Sequence, residues 1–295
     1  MDARRVTVIG GANTDICGRP ARTLVRRDSA PGRVSVRLGG VGRNIACNLV
    51  RLGVETRLIT ALGDDAFGLS MLEDCRARGL DMSLTRLLPG ERSSVYLYLS
   101  DEKGDMDAAV SDMEITASVS PDYLCAHLDS INASDAVVLD GNLSEEAIAF
   151  LCAHVTAPLY ADPVSTAKAP RFSPQLGRLA AIKPNLLEAR ALTGRESAED
   201  CAEALLNAGV GSVFISLGSG GLLAAAGEER VLLPCRAAKP VSTTGAGDAA
   251  TAAIVWALCQ GLDLTAAAGA ALAAGALAVE SEETISPLLC ADSLL

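Results

Sequence analysis

Ala136-Val137-Val138-Leu139-Asp140-Gly141-Asn142-Leu143-Ser144-Glu145-Glu146 reads as a strand running into a capped helix. Residues 136–139 are apolar without alternation, as in a strand buried on both faces, and the run stops on an acid. Ser144 stands where an N-cap belongs, and two glutamates occupy the first turn of a helix over Glu145–His154. The alternation continues downstream. Strands are predicted at 158–161, 181–183 and 213–216, and helices at 186–192 and 198–208. A hairpin over 221–234 precedes two Ala-rich C-terminal helices. Upstream, residues 6–9 read as a central strand delivering its end to Gly10-Gly11, and 56–61 as another. Helices follow at 45–52, stopped by Gly53, and at 65–78, stopped by Gly79. Strands alternating with helices imply an α/β fold, a three-layer αβα sandwich around a mostly parallel sheet.

Two regions do not fit that sheet. Residues 34–38 alternate apolar with polar, and 93–100 with 107–111 form a hairpin about Asp101-Glu102-Lys103-Gly104. They are expected to build a small β-sheet lid from segments at about 16–38 and 92–114, inserted in a single domain over residues 1–295.

Composition removes several function classes. Aromatic residues make up 3% of the 295 and the formal net charge is -11, which argues against a nucleic-acid surface. The nine cysteines include no CxxC pair, and the two histidines, His127 and His154, stand apart, so neither a disulfide framework nor a His-based metal site is expected. Free thiols suit a reducing compartment, and the apolar run before Gly10 is too short for a signal peptide, so a cytoplasmic location is expected. The apolar region 249–280 is broken by Gln260, Gly261 and Asp263, so no membrane span is expected.

The strongest chemical signal is Thr243-Thr244-Gly245-Ala246-Gly247-Asp248 at the head of an apolar helix. Glycines there let the backbone approach a ligand and turn N–H groups toward it, while the helix dipole adds positive potential. That is an anion hole suited to a transferring phosphoryl group, and an acid in the first turn could accept a proton from an attacking hydroxyl. Acids also occupy helix starts simply to satisfy N–H groups, so the argument rests on the whole string following a strand-like run. Asn13 and Asp15, just past the first strand, suit the hydroxyls of a polyol, with a local Asx-turn as the other reading. Asn185 and Glu188, spaced i, i+3 at a helix start, suit a water-rich Mg²⁺ or a helix cap.

Four motifs together resemble the ribokinase or PfkB family of carbohydrate and nucleoside kinases. They are Gly10-Gly11-Ala12-Asn13-Thr14-Asp15, the Gly-rich segment 39–44, Lys183-Pro184-Asn185 with Glu188, and Thr244–Asp248 with its neighbours. The resemblance spans essentially the whole chain. It implies a ribokinase-like fold, ATP and Mg²⁺ as cofactors, and Asp248 as the catalytic base. It further implies an anion hole from Gly245, Ala246 and Gly247, with Thr244 beside it, and a sugar site of Asn13, Asp15, Gly40, Gly42 and Asn44. A nucleotide side would be formed by Lys183, Asn185, Ser216, Gly218 and Gly221. Ser242 stands where many relatives carry an Asp of a monovalent-cation site, which leaves potassium dependence open.

Segments 28–34, 39–49, 110–113, 140–146 and 162–168 resemble the branch of the family that phosphorylates the 5′-hydroxyl of pseudouridine. That implies Ser29, Asp112 and Asn142 as substrate contacts, the first two reading the base from the lid. Lys168 could face either the phosphates or the lid. Ribose, adenosine or inosine, fructose and 2-keto-3-deoxygluconate are the alternative substrates, and a nucleoside-binding sensor without catalysis is the alternative from another class. The free strand edges of the lid suggest a homodimer formed through it.

Overall fold

A computed structural model describes residues 4–25, 27–101, 106–236 and 238–294. Its strands are β1 (Arg5–Ile9), β2 (Asn13–Pro20), β3 (Gly32–Gly39), β4 (Glu55–Ile59), β5 (Ala61–Gly63), β6 (Arg86–Leu88) and β7 (Val95–Ser100). They continue with β8 (Met106–Asp112), β9 (Ala136–Asp140), β10 (Leu159–Asp162), β11 (Leu179–Ile182), β12 (Ser212–Ser216), β13 (Leu222–Ala226) and β14 (Glu229–Leu233). The helices are α1 (Val41–Arg51), α2 (Ala66–Ala77), α3 (Pro121–Ala126), α4 (Leu128–Asn132), α5 (Glu145–His154), α6 (Leu186–Thr193), α7 (Ala198–Asn207), α8 (Ala246–Cys259) and α9 (Leu264–Val279).

The large sheet runs β14-β13-β12-β11-β10-β9-β1-β4. Every pairing from β4 to β12 is parallel, and β13 and β14 add an antiparallel edge. Side-chain alternation sorts its residues between two cores. Val6, Val8, Val138 and Phe214 pack with α1, α2, α8 and α9 on one face; Ile9, Val137, Leu139 and Val213 pack with α5 and α7 on the other. The result is the expected αβα sandwich. Strand β1 is not central, however: it lies one position from the β4 edge, because the sheet grows away from it through β9. Its burial on both faces by helices is what makes it read as central.

The second sheet has the order β3-β2-β7-β8 and is made from the two segments that alternate. One cross-strand row is Arg37, Asp15, Tyr96 and Ser111, and the next is Val36, Ile16, Leu97 and Val110. The sheet therefore has a polar face carrying Asp15 and an apolar face on which Val34, Val36 and Val110 are exposed. Of the turn joining β7 to β8, Glu102, Lys103 and Gly104 lie outside the described residues.

Helix α1 starts four residues earlier than its apolar spacing indicates, so Gly42, Arg43 and Asn44 occupy its first turn rather than a loop. Gly42 makes this possible: a Cβ there would sit 2.9 Å from the backbone of Gly10, so only glycine lets α1 rest on the end of β1. Helices α3 and α4 are too short to show a periodicity in sequence, and the 3₁₀ run Ala169–Arg178 carries Pro170 and Pro174, which read against a helix.

Candidate active site

The parallel strands end along one side of the molecule, and their last residues are polar. Asp140 ends β9, Asp162 ends β10 and Lys183 follows β11, so neighbouring strands deliver two carboxylates and an ammonium to one crevice. All three are buried. Lys183 Nζ lies 3.5 Å from Asp162 Oδ2, and Asp162 also accepts from Thr251 Oγ1 at 2.6 Å and from Val164 N at 3.0 Å. Asp140 accepts from the backbone N–H of Gly11 and of Asn142, both at 2.8 Å.

Helix α8 points its N-terminus into this crevice. Gly245 is its N-cap at φ 83, and a Cβ there would meet the Thr284 carbonyl oxygen at 2.6 Å, so glycine is required by conformation and by space. The helix ladder begins with Ala249 N donating to Gly245 O, which leaves the N–H groups of Ala246, Gly247 and Asp248 without intrahelical partners. Lys183 Nζ lies 3.6 Å from where a Gly247 Cβ would be. Three backbone donors, a helix dipole and an ammonium thus converge on one point, an arrangement made for a multiply charged anion.

Asp248 sits in the same turn, half-buried and open to the crevice. Burial, reinforced by the nearby charge of Asp162, pushes its carboxyl up to about 7; the amide of Asn44 and the ammonium of Lys183 pull in the opposite direction. Asn44 Nδ2 donates to Asp248 Oδ2 at 2.8 Å. A carboxyl that ionises near neutrality is matched to accepting a proton from a hydroxyl.

A cavity of about 740 Å³ opens on one side of Gly247. Lys183, Asn185 and Ser216 mark its polar end, and Leu272, Ala276 and Val279 its apolar wall. Its size and two-part lining suit a nucleotide, with the phosphates toward the α8 turn. Gly218 and Gly221 also line it; Thr244 is exposed at the turn, its N–H donating to Ser242 Oγ at 3.2 Å. The apolar wall from α9 carries no sequence signature, since its residues belong to an ordinary Ala-rich helix.

On the other side of Asp248 lie the end of β1, the start of β2 and the start of α1. Asn13 Nδ2 donates to Asp15 Oδ1 at 2.6 Å, and burial raises the Asp15 carboxyl above its ordinary range. Gly42 is buried against Gly10 and Gly40 turns the chain into α1 at φ 97, so both glycines act here through packing. Asn142 Oδ1 accepts from Lys168 Nζ at 2.6 Å, which places Lys168 on this side and outside the nucleotide cavity. The segment between Asp162 and Lys168 is folded back by Val164, whose φ of 70 is one a β-branched residue adopts only when its surroundings impose it.

Two of the sequence candidates are not brought to this cluster. Ser29 lies exposed on the β2–β3 connection, beyond the pair Pro20 and Gly32, roughly 23 Å along the strand from Asn13. Asp112 pairs with Val95, which pairs with Thr14, so it belongs to the row opposite to Asp15; Ser111 shares the row of Asp15 and Tyr96. A shift of one residue changes the face, and local alternation does not say which face meets the site. Sequence reading also passed over Asp162, Thr251 and Tyr96. An acid closing a buried parallel strand, as Asp162 closes β10, is the signal that could have flagged it.

Glu188 and Asn185 are locked together. Each side chain accepts from the other's backbone N–H at 2.9 Å, a reciprocal helix cap. The cap and the cation reading are compatible, because burial and the neighbouring Asp162 raise the Glu188 carboxyl, a strain that a divalent cation would relieve. Among the described residues no cluster of three or more His, Cys, Asp or Glu could cage a metal. Asn185, at the polar end of the nucleotide cavity, and the buried Glu188 beside it are oxygen donors of the kind that fit Mg²⁺.

Comparison with known proteins identifies the family. The profile described as pfkB family carbohydrate kinase matches residues 3–290. The chain belongs to the pfkB family of carbohydrate kinases. This pfkB kinase is 33% identical to the pseudouridine kinase of Escherichia coli (strain K12), over 96% of this chain and 92% of that protein. It superposes on a carbohydrate kinase from Agrobacterium tumefaciens with a TM-score of 0.86 and 30% identity, covering 99% of this chain and 95% of that one. The fold also matches a ribokinase of Arabidopsis thaliana complexed with ribose and ATP, at a TM-score of 0.86 and 22% identity, covering 99% and 97%. As a pfkB kinase the protein is a phosphotransferase acting on a hydroxyl group of a sugar or nucleoside. Among the described residues no helix is long and apolar enough to cross a membrane.

Proposed function

We propose that this kinase transfers the γ-phosphoryl group of ATP to the 5′-hydroxyl of pseudouridine, giving pseudouridine 5′-phosphate and ADP. The observation that carries the substrate is the bond between Lys168 and Asn142. It joins the two segments, 140–146 and 162–168, whose sequences resemble the pseudouridine branch, and it does so on the sugar side of Asp248. The similarity to the Escherichia coli enzyme supports the same reading.

In this mechanism Asn13, Asp15 and Asn44 bind the ribose hydroxyls, and the polar face of the small sheet covers the base. Tyr96 and Tyr98, with ring centroids 5.7 Å apart on that face, supply its aromatic surface. The small sheet acts as a lid that excludes water when both substrates are present. Asp248 accepts the 5′-hydroxyl proton as the oxygen–phosphorus bond forms and the bond to the ADP oxygen breaks. The N–H groups of Ala246 and Gly247, with Lys183, hold the charge that spreads over the transferring group. Mg²⁺, backed by Glu188 and Asn185, would neutralise phosphate oxygens. Asp162 keeps Lys183 in place and raises the proton affinity of Asp248.

We propose further that two copies pair through the apolar face of the lid in the cytoplasm. The row Val36, Ile16, Leu97 and Val110 runs across all four strands, and β3 and β8 are free edges of that sheet.

The test is ADP release measured with pseudouridine, uridine, adenosine, inosine, ribose, fructose and 2-keto-3-deoxygluconate. Pseudouridine is expected to give the highest kcat/KM by at least tenfold, about 1.4 kcal/mol of discrimination. A higher value with ribose or a purine nucleoside would overturn the substrate assignment and leave the kinase chemistry intact. Thermal stabilisation by pseudouridine without ADP release would indicate binding alone.

A further inference from the structure

Arg43 occupies an unfavourable position. It lies in the first turn of α1, where the helix dipole opposes a cation, and is only 3% exposed. Such a group persists when its hydrogen bonds hold something in place. Nη2 donates to Asp74 Oδ2 on α2 at 2.6 Å, and Nη1 donates to the Leu38 carbonyl at 3.2 Å and to Asn44 Oδ1 at 3.1 Å. Asn44 is the residue whose other amide atom, Nδ2, donates to Asp248.

An asparagine amide is nearly symmetric in shape, and a half-turn exchanges its oxygen and nitrogen. Turned over, Asn44 would present a carbonyl oxygen to the carboxylate of Asp248 and an NH₂ to the guanidinium of Arg43, which is repulsive at both ends. Arg43 accepts only one orientation. We propose that Arg43 is a positioning residue for phosphoryl transfer: anchored by Asp74, it holds Asn44 Oδ1 so that Nδ2 faces Asp248 throughout the reaction. The inference rests on Asp248 being the base. The charged groups near Asp248 are Asp162, Asp140 and Lys183; those around Arg43 are Asp74, Asp15 and Arg78, with the thiols of Cys47 and Cys75 beside it. Arg43 and Asp74 also line a separate polar cavity of about 360 Å³, so the anchor is reached from outside the substrate crevice.

A double-mutant cycle tests the relay. kcat at saturating pseudouridine and ATP, KM for both, and Tm are measured for wild type, Arg43→Met, Asn44→Ala and the double variant. Losing an oriented donor to a charged group is expected to lower kcat about 10- to 100-fold in Arg43→Met, with KM for ATP unchanged. In the Asn44→Ala background the same substitution is expected to change kcat less than about twofold. An equal loss of kcat in both backgrounds would assign Arg43 a structural role and overturn the proposal. Where Arg43→Met fails to fold, Asp74→Asn replaces it, with a loss of about threefold or more expected that again vanishes on Asn44→Ala. An Asp248→Asn variant run in parallel separates the two ideas. If it turns over like wild type, the base assignment falls and the relay with it; if it is inactive and the cycle is additive, the relay alone falls.

Discussion

Replacing Asp248 with Asn removes the proton acceptor and at the same time relieves a buried charge, so turnover and stability should move in opposite directions. The carboxyl is pushed up from 3.8 to about 7 by burial and by Asp162. At about 1.36 kcal/mol per pH unit, that corresponds to an upper limit of about 4 kcal/mol spent on keeping the ionised group in the folded chain. Because Asp248 opens on the crevice, water offsets part of this, and about 2 kcal/mol of stabilisation is expected for Asp248→Asn at pH 8. The sign follows from linkage. The raised value means that the unfolded chain releases this proton first, so the wild-type fold loses stability as pH rises from 3.8 to about 7 and no further above. The variant has no such loss. Its Tm advantage should grow from pH 5 to pH 7 and stay constant to pH 8.5, reaching roughly 4 to 8 °C. ADP release should fall by about 10³-fold, while pseudouridine still raises the Tm of the variant. In the wild type, kcat/KM should fall about twofold at pH 7 and about tenfold by pH 6 from a plateau reached above about pH 8, as the base becomes protonated. Turnover within a few-fold of wild type would refute the role of Asp248. A Tm difference independent of pH would refute the electrostatic account.

Three further outcomes are expected. Gly245→Ala forces a Cβ to within 2.6 Å of the Thr284 carbonyl oxygen at φ 83, so thermal denaturation should show a loss of about 1–3 kcal/mol together with collapse of turnover. Lys183→Met leaves buried Asp162 without its ammonium and removes a charge that holds the Asp248 carboxyl down. Steady-state assays should show a raised KM for ATP and an acid limb displaced to higher pH; a limb that stays or moves lower would contradict the charge assignment. Val36→Asp with Val110→Asp puts two carboxylates in the apolar row of the small sheet; light scattering should then report a monomer, against the dimer expected for the wild type, and a wild type that is itself monomeric would refute the proposed pairing.

Much of the fold is legible locally because its causes are local. Buried parallel strands such as Ala136–Asp140 are continuous apolar runs, Ser144 accepts from Ala147 N as an N-cap should, and the small sheet shows itself by alternation at 34–38 and 93–100. The α8 turn is legible for the same reason, since the whole string Thr243–Asp248 lies together at the head of one apolar helix. Residues whose importance comes from a distant partner leave no such trace. Thr251 looks like any helical threonine until Asp162, far away in the chain, lies 2.6 Å from its hydroxyl.

The sequence by itself determined the alternation of strands and helices, the anion-binding turn at Thr244–Asp248 and the phosphotransferase chemistry that turn supports, because propensity, capping and backbone freedom are properties of neighbouring residues. Tertiary structure alone decided that Asp140, Asp162 and Lys183 meet at one crevice, that Arg43 reaches Asp248 through Asn44, and that Ser111 rather than Asp112 shares the face of Asp15. Those facts depend on strand order and register, which pair residues distant in the chain. The ionisation of Asp248 near neutrality belongs with them, since it arises only when folding removes water from several carboxylates at once.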